Sequence, residues 1–249
     1  HKWDAVQKRD RLLGCSLTGY QDAIEKLGYC KEEEEELQTL LKYKALDASG
    51  QYAEELGINK PMLTTAVKPE GTLSLVAGGV SPGVHHAHSP YYIRRIRINA
   101  HDPLCKMCEA VGYNVNNEVG QGVVVQNEHQ IPYMTPVTTK VIDFPVYSPV
   151  KRTKYDVSAI EQLETYLRFQ RCYTEHNSSN TISVQDNEWE EVEQFIYDNW
   201  NLVLAVTFLG LNSENYPLMP YESCTAEEYE VLKAQMPLFD PELLQRFDN

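Results

Sequence analysis

The apolar and polar positions along the chain follow two rhythms, and each marks a run of short elements. Helical spacing governs "YQDAIEKLGY", which Gly28 ends, and the stretch from Lys31 to about residue 48, where Leu37, Leu40 and Leu41 form an apolar stripe. A second short helix is predicted from Gly50 to Leu56. "HDPLCKMCEAVGY" carries Asp102 as N-cap, Pro103 at the first helical position and Gly112 past the end, with Leu104, Met107, Cys108 and Val111 inward. "SAIEQLETYLRFQRC" opens on a capping box, Ser158 with Glu161, ahead of Ile160, Leu163 and Leu167. "DNEWEEVEQFIYDNW" turns Trp189, Val192 and Ile196 to the core.

Between these helices lie extended stretches. "RLLGCSLTG" (Arg11–Gly19) predicts a short buried strand and a turn, and "MLTTAVKPEGTLSLVAGG" a strand entering a tight loop. "YYIRRIRI" alternates, with Ile96 and Ile98 facing one way and Arg95 and Arg97 the other. "GVVVQNEHQ" and "KVIDFPV" flank a Pro-containing loop, and "NTISVQ" and "LVLAVTFLG" are further strands. After Tyr221 the chain turns polar and helical. Strands separated by helices predict an α/β fold with a partly parallel sheet. The division expected is 1–220 as the main body and 221–249 as a helical extension.

Composition narrows the class. With 249 residues, 42% hydrophobic and 23% charged, the chain reads as globular and can bury a sizeable core. No run approaches the roughly 18 apolar residues of a membrane span, and "HKWDAVQKRDRLLG" has no signal-peptide core. A first residue other than Met is the mark expected of a fragment or processed piece. The net charge of −14 speaks against direct nucleic-acid binding, which needs clustered Lys and Arg. The acidic run Lys31–Glu36 suits the start of a solvated helix. Six scattered cysteines (Cys15, Cys30, Cys105, Cys108, Cys172 and Cys224) fit a reducing, cytoplasmic setting better than a disulfide framework.

"KPEGTLS" (Lys68–Ser74) is the strongest local signal for chemistry. Pro69 fixes φ, Gly71 frees the backbone to turn and approach a ligand, and successive amides with the hydroxyls of Thr72 and Ser74 would make an anion-binding concavity. The spacing is not that of a P-loop, and the residues alone leave a simple strand-to-helix turn equally open. His85, His86 and His88 lack a convincing further ligand, so a polar pocket lining is preferred to a metal site. Cys105 and Cys108 form a CxxC near a helix start, but Cys108 sits on the apolar stripe, and the structural role is favoured. Arg94, Arg95 and Arg97 are expected to pair with acidic groups rather than bind phosphate.

Together these segments resemble the C-terminal part of an adenosylcobalamin-dependent (class II) ribonucleoside-triphosphate reductase. The resemblance is carried in order by "RDRLLGCSLTGYQD", "TTAVKPEGTLSLVAGGVSPGVHHAHSPYYIRRIRI", "DPL" with "CEAVGY", "NTISVQDNEWEEVEQFIYDNW" and "YPLMPYE". It implies the C-terminal half of a ten-stranded α/β barrel of the ribonucleotide reductase type. It further implies that Pro69, Glu70, Gly71, Thr72, Leu73 and Ser74 cradle the phosphates of a ribonucleotide substrate. Ser81, Gly83, His86 and His88 would lie on the cofactor side.

In that family, homolysis of the cobalt–carbon bond of adenosylcobalamin yields a cysteine thiyl radical. The radical removes the 3′ hydrogen of the ribonucleotide, a carboxylate assists loss of the 2′ hydroxyl, and a cysteine pair supplies electrons. The product is a deoxyribonucleotide for DNA replication. The family's Asn-x-Cys-x-Glu loop is not found in this sequence, nor is its tail of paired cysteines. The resemblance therefore implies no catalytic residue in this chain, and the histidines and cysteines, taken by themselves, predict no metal site. An N-terminal half, as a separate or preceding chain, is the expected partner, and the isolated chain is expected to be inactive.

Three other readings stand beside this one. The chain could be the C-terminal part of a class I large subunit, but "LVLAVTFLG" lacks the two adjacent tyrosines of that radical relay, and Tyr91–Tyr92 fall in another segment. It could be a non-catalytic nucleotide- or phosphate-binding module that folds alone, or a remnant without binding activity.

Overall fold

The computed structural model describes residues 1–211 and 216–247. Along the chain run α1 (Lys2–Asp10), α2 (Tyr20–Leu27), α3 (Lys31–Glu55), the single turn α4 (Leu73–Val76), β1 (Tyr91–Asn99), α5 (Pro103–Val111), β2 (Val115–Asn117), β3 (Val124–Gln126) and β4 (Pro132–Met134). There follow β5 (Thr139–Tyr147), α6 (Ala159–Cys172), β6 (Thr181–Val184), α7 (Trp189–Asp198), β7 (Thr207–Gly210), β8 (Tyr221–Ser223), α8 (Ala226–Gln235) and a 3-10 turn, Pro241–Arg246. They form two compact units, residues 1–88 with 148–213 and residues 89–147 with 214–249.

The first unit is built on parallel pairing. Cys15 bridges Thr65 and Val67 bridges Ser178, both in parallel, and the chain after Ser178 continues into β6, which pairs in parallel with β7 from Thr181–Thr207 to Val184–Gly210. Parallel neighbours need helical crossovers, and α2, α3, α6 and α7 supply them. Tyr20 and Ile24 of α2 and Phe169 and Tyr173 at the end of α6 bury against Val67 and Val84. Ala159 and Leu163 at the other end of α6 pack with Ile182, Val184 and Val192. A buried polar network ties the same helices: Gln38 Nε2 donates to Tyr20 Oη at 2.8 Å, which donates to Glu34 at 2.9 Å.

Several elements differ from the sequence reading. Residues 31–55 form one helix rather than two. Gly50 does not interrupt it; it sits buried inside the helix, where a Cβ would stand in ordinary contact with the Lys60 stem, 3.7 Å away. The segment Arg11–Gly19 is no buried strand, since Leu12 and Leu13 are exposed and only Cys15 makes a bridge. β7 is likewise only four residues long, with Leu202 and Leu204 exposed before it. Trp189 is 44% exposed, with its ring T-shaped to Phe208. At α6, Ser158 Oγ accepts from Glu161 N as expected, but the Glu161 carboxylate leaves the box to take both Nη atoms of Arg152 at 2.7 and 2.8 Å.

The second unit is an antiparallel sheet, ordered β2-β5-β1-β8. β1 and β5 pair over nine residues, from Tyr91–Tyr147 to Asn99–Thr139. α5 lies against this sheet through Met107 and Cys108, packed with Tyr113 and Ile142 and partly covered by Leu243, Leu244 and Phe247. Asp102 caps α5 by accepting from Leu104 N at 2.8 Å, and Gly112 leaves it at φ 96°. The helix thus matches its sequence signature.

The expected boundary after residue 220 falls inside this sheet, because Tyr221–Ser223 pair with Tyr92–Arg94 of β1 as an edge strand. The three arginines of β1 explain why that edge is held. Arg97 Nη2, Arg95 Nη1 and Arg94 Nη1 donate to the successive carbonyls of Leu218, Met219 and Pro220 at 3.0, 3.2 and 3.0 Å. Arg95 also pairs with Asp143 and Glu222, Arg97 with Glu118, and Arg94 lies 4.4 Å over the Tyr221 ring. Arg95 and Arg97 pair with acidic groups, as expected, Arg95 in a buried position and not on the surface, whereas Arg94 meets carbonyls and a ring instead.

Candidate functional site

The strand segment Thr64–Val67 is buried and pinned from both sides, which fixes where the following loop begins. Thr64 N and Thr65 N both donate to the Glu175 carboxylate, at 2.8 and 3.3 Å, and Thr65 Oγ1 donates to Tyr173 O at 2.6 Å. Lys68 N then donates to Ser16 Oγ at 2.8 Å. Glu175 and Ser16 had no distinguishing mark in the sequence; their role is visible only once parallel neighbours are in register.

The loop turns at Glu70, which takes a left-handed φ of 56°. This reverses the expectation for Gly71: its φ is not left-handed, and a Cβ added there meets nothing within 4 Å. Gly71 therefore opens space beside the backbone, while the turn is made by its neighbour. Ser74 is buried and braces the loop from inside, its amide donating to Glu70 O at 3.0 Å and its hydroxyl to Gly71 O at 3.3 Å. No protein acceptor among the described residues takes the amides of Glu70, Gly71, Thr72 or Leu73, or the Thr72 hydroxyl. Unpaired backbone donors side by side on an accessible turn form a ready anion site.

The residues expected on the cofactor side follow at once, and the first two meet the loop. Gly83 sits at φ 56° with its α-carbon against the Lys68 carbonyl, 2.8 Å from where a Cβ would stand. Its amide donates to Thr18 Oγ1 at 3.2 Å, and its carbonyl accepts from Tyr20 N at 3.3 Å. Ser81 is buried, its amide donating to Asp22 at 2.8 Å and its carbonyl accepting from Gly19 N at 2.8 Å. Ser81 and Gly83 thus lock a chain crossing beneath Lys68.

His86 and His88 follow on the run whose Ala87 bridges Thr153. His86 is half-buried; burial lowers its pKa, against the opposing pull of the Glu161 carboxylate. The His88 ring stands edge-on to Tyr155 at 6.1 Å.

His85 has a structural job. Its Nδ1 reaches Pro82 O at 2.9 Å while Nε2 accepts from Thr181 N at 3.0 Å, so the ring is neutral with the proton on Nδ1. Burial holds its pKa below the ordinary 6.5. A folded pKa below the unfolded one means that the unfolded chain takes up the proton first. Stability is then present above about pH 6.5 and falls as pH drops below it, by up to about 1.4 kcal/mol per pH unit. Thermal melts at pH 7.5 and 5.5 should show a smaller difference for His85→Gln than for the parent; equal differences would refute the assignment.

The cysteines of the CxxC are both buried, and burial raises both thiol pKa values, which agrees with a packing role. Among the described residues no group of three or more His, Cys, Asp or Glu side chains is placed to hold a metal ion. No helix among them is long and apolar enough to cross a membrane.

No protein-family model matches the sequence. Among curated proteins, the chain is 31% identical over 236 residues to the adenosylcobalamin-dependent ribonucleoside-triphosphate reductase of Euglena gracilis, covering 90% of this chain and 29% of that protein. It is 28% identical to a probable enzyme of the same description in Dictyostelium discoideum, over 100% of this chain and 31% of the relative. The Levilactobacillus brevis enzyme is 26% identical, over 92% and 33% of the two chains. In structure the chain is similar to a B12-dependent (class II) ribonucleotide reductase, with a TM-score of 0.77, 23% identity, and coverage of 98% of this chain and 36% of that one. The chain spans about three-tenths of the length of the curated relatives it matches. Over that length, in sequence and in the α/β fold that carries the loop, it belongs with the adenosylcobalamin-dependent (class II) ribonucleotide reductases, of which it represents one part.

Proposed function

We propose that this chain is the substrate-phosphate-binding part of an adenosylcobalamin-dependent ribonucleoside-triphosphate reductase, completed by an N-terminal half that carries the radical chemistry. The observation that supports this most is the row of unpartnered amides from Glu70 to Leu73. With the Thr72 hydroxyl they offer five donors to a phosphate oxyanion, Pro69 presetting the approach and Ser74 bracing the turn from within. The Gly71 α-carbon leaves the phosphate free access to those donors.

In the complete enzyme adenosylcobalamin would supply the radical that starts reduction. Of the residues expected on the cofactor side, Gly83 is closed by the Lys68 carbonyl and the Ser81 amide and carbonyl are bonded within the chain, while the Ser81 hydroxyl is buried without a partner and would be the group left to face the cofactor. This chain's own task is to fix the phosphates, and through them the position of the ribose, before chemistry begins. The working setting proposed is the cytoplasm.

Gly71→Val is the test. The valine meets open space in the free protein, so its melting temperature should stay within about 2 °C of the parent's. Affinity for a ribonucleoside triphosphate, by calorimetry, should fall at least about a hundredfold, because two or more charge-assisted hydrogen bonds are blocked. Unchanged affinity would sink the phosphate-loop reading and favour a remnant without binding activity.

A further inference from the structure

Cations are scarce in this chain, with 22 Lys and Arg against 36 Asp and Glu, and at least four of its thirteen lysines are paired. Lys8 meets Asp4, Lys31 meets Glu164, Lys60 meets Glu54 and Lys140 meets Glu109. Lys68, the residue before the phosphate loop, has no carboxylate within salt-bridge reach among the described residues. An unpaired cation that directly precedes, in sequence, a turn of unpaired amides is an arrangement that an anion can complete.

The position of Lys68 is built. Its amide is held by Ser16 and its carbonyl rests on Gly83, so its backbone is fixed from two sides. Its side chain lies back across Gly14: a Cβ there would come within 2.9 Å of Lys68 Cε and 3.1 Å of Nζ. Gly14 does not have a left-handed φ, so the backbone does not demand glycine there. The Lys68 stem occupies the space that glycine leaves.

We infer that Lys68 is a specificity-determining residue of the phosphate site. Its ammonium, seated over Gly14, meets the outer phosphates of the nucleotide and favours a longer polyphosphate over a shorter one. The inference rests on the phosphate-loop reading and adds to it a named cation and a basis for discriminating phosphate number. Lysine suits the task as a compact point charge on a flexible stem, able to follow a phosphate tail.

The test is binding of a ribonucleoside triphosphate, the matching diphosphate and the unphosphorylated nucleoside to the full chain, at low and moderate salt. Lys68→Met should lose about tenfold in triphosphate affinity, less for the diphosphate, and nothing for the nucleoside. Its salt dependence should flatten, because one screened charge contact is gone. Lys68→Arg should stay within about threefold of the parent. Gly14→Val, which displaces the stem but keeps the charge, should fall between parent and Lys68→Met; parent-like binding by Gly14→Val would show that the seat over Gly14 is irrelevant.

Unchanged triphosphate affinity in Lys68→Met, alongside loss of binding in Gly71→Val, would overturn the Lys68 assignment and leave the loop standing. A parent chain that binds triphosphate no better than nucleoside would overturn both.

Discussion

Gly83→Val is expected to destabilise the first unit by roughly 2–5 kcal/mol and to weaken phosphate binding without touching the loop itself. Two costs coincide at this position. At φ 56° a side chain pays the left-handed penalty of about 1–2 kcal/mol. The new Cβ would also stand 2.8 Å from the Lys68 carbonyl, a backbone atom that cannot rotate away. Something must shift, and the atoms that can are the ones that begin the phosphate loop. The same shift would strain the bonds from Gly83 N to Thr18 and from Tyr20 N to Gly83 O.

Three glycines of this region separate the causes. Gly71→Ala has neither a left-handed φ nor a neighbour within 4 Å and should be silent in stability. Gly78→Ala, at φ 95° with open space around it, should cost only the backbone term of about 1 kcal/mol. Gly83→Ala and Gly83→Val carry both costs, and valine adds bulk. Melting curves of the four variants should rank in that order, with Gly83→Val lower than the parent by about 5–15 °C. A Gly83→Val melt within 2 °C of Gly78→Ala would show that the crossing under Lys68 is not tight.

How much of this was legible in the sequence depends on how local each cause is. α5 was readable almost to the residue, because Asp102, Pro103 and Gly112 act on their own backbone neighbours. The parallel character of the first unit was readable from the alternation of strands and helices, and the bridges Cys15–Thr65 and Val67–Ser178 bear it out. Gly50 misled because a glycine that breaks two helices and one that lies within a single helix look alike in sequence; residues 31–55 run through it as one helix.

Within the loop, the residue types were right and the division of labour was not. Glycine was the natural candidate for the turn, yet Glu70 takes the left-handed conformation and Gly71 provides access. Glu175 and Ser16, which anchor the strand and the start of the loop, lie far from it in sequence and depend on register. The arginines of β1 were readable as pairing residues, but three successive carbonyls as their partners are a tertiary fact.

Arg95→Met should be the most damaging single change in the second unit, at about 3–5 kcal/mol, or on the order of 10 °C in melting temperature. Arg95 and Asp143 are each 8% exposed, and Arg95 Nε meets Asp143 Oδ1 at 3.1 Å. Burial pushes the Asp143 pKa up, and Arg95 opposes that push. Without the guanidinium, the carboxylate keeps only Asn114 Nδ2 at 2.9 Å and a long contact from Asn116 at 3.5 Å, so it must take up a proton or drag water inward. The loss reaches further than one pair. Arg95 also holds Met219 O and the Glu222 carboxylate, so its removal frees the segment that β8 docks onto the sheet edge.

Glu222, with 42% of its side chain exposed, can turn to solvent, whereas Asp143 cannot. The penalty is therefore mainly that of an orphaned buried charge, and it should be removable. Arg95→Met combined with Asp143→Leu should recover more than half of the lost stability, because an apolar pair of similar volume carries no desolvation cost. Hydrogen exchange should still report faster exchange at residues 221–223 in the double variant, since the clamp on Met219 O stays missing. Arg95→Met melting as the parent does, or a double variant no better than the single one, would refute the account of Arg95 as the partner that keeps Asp143 charged.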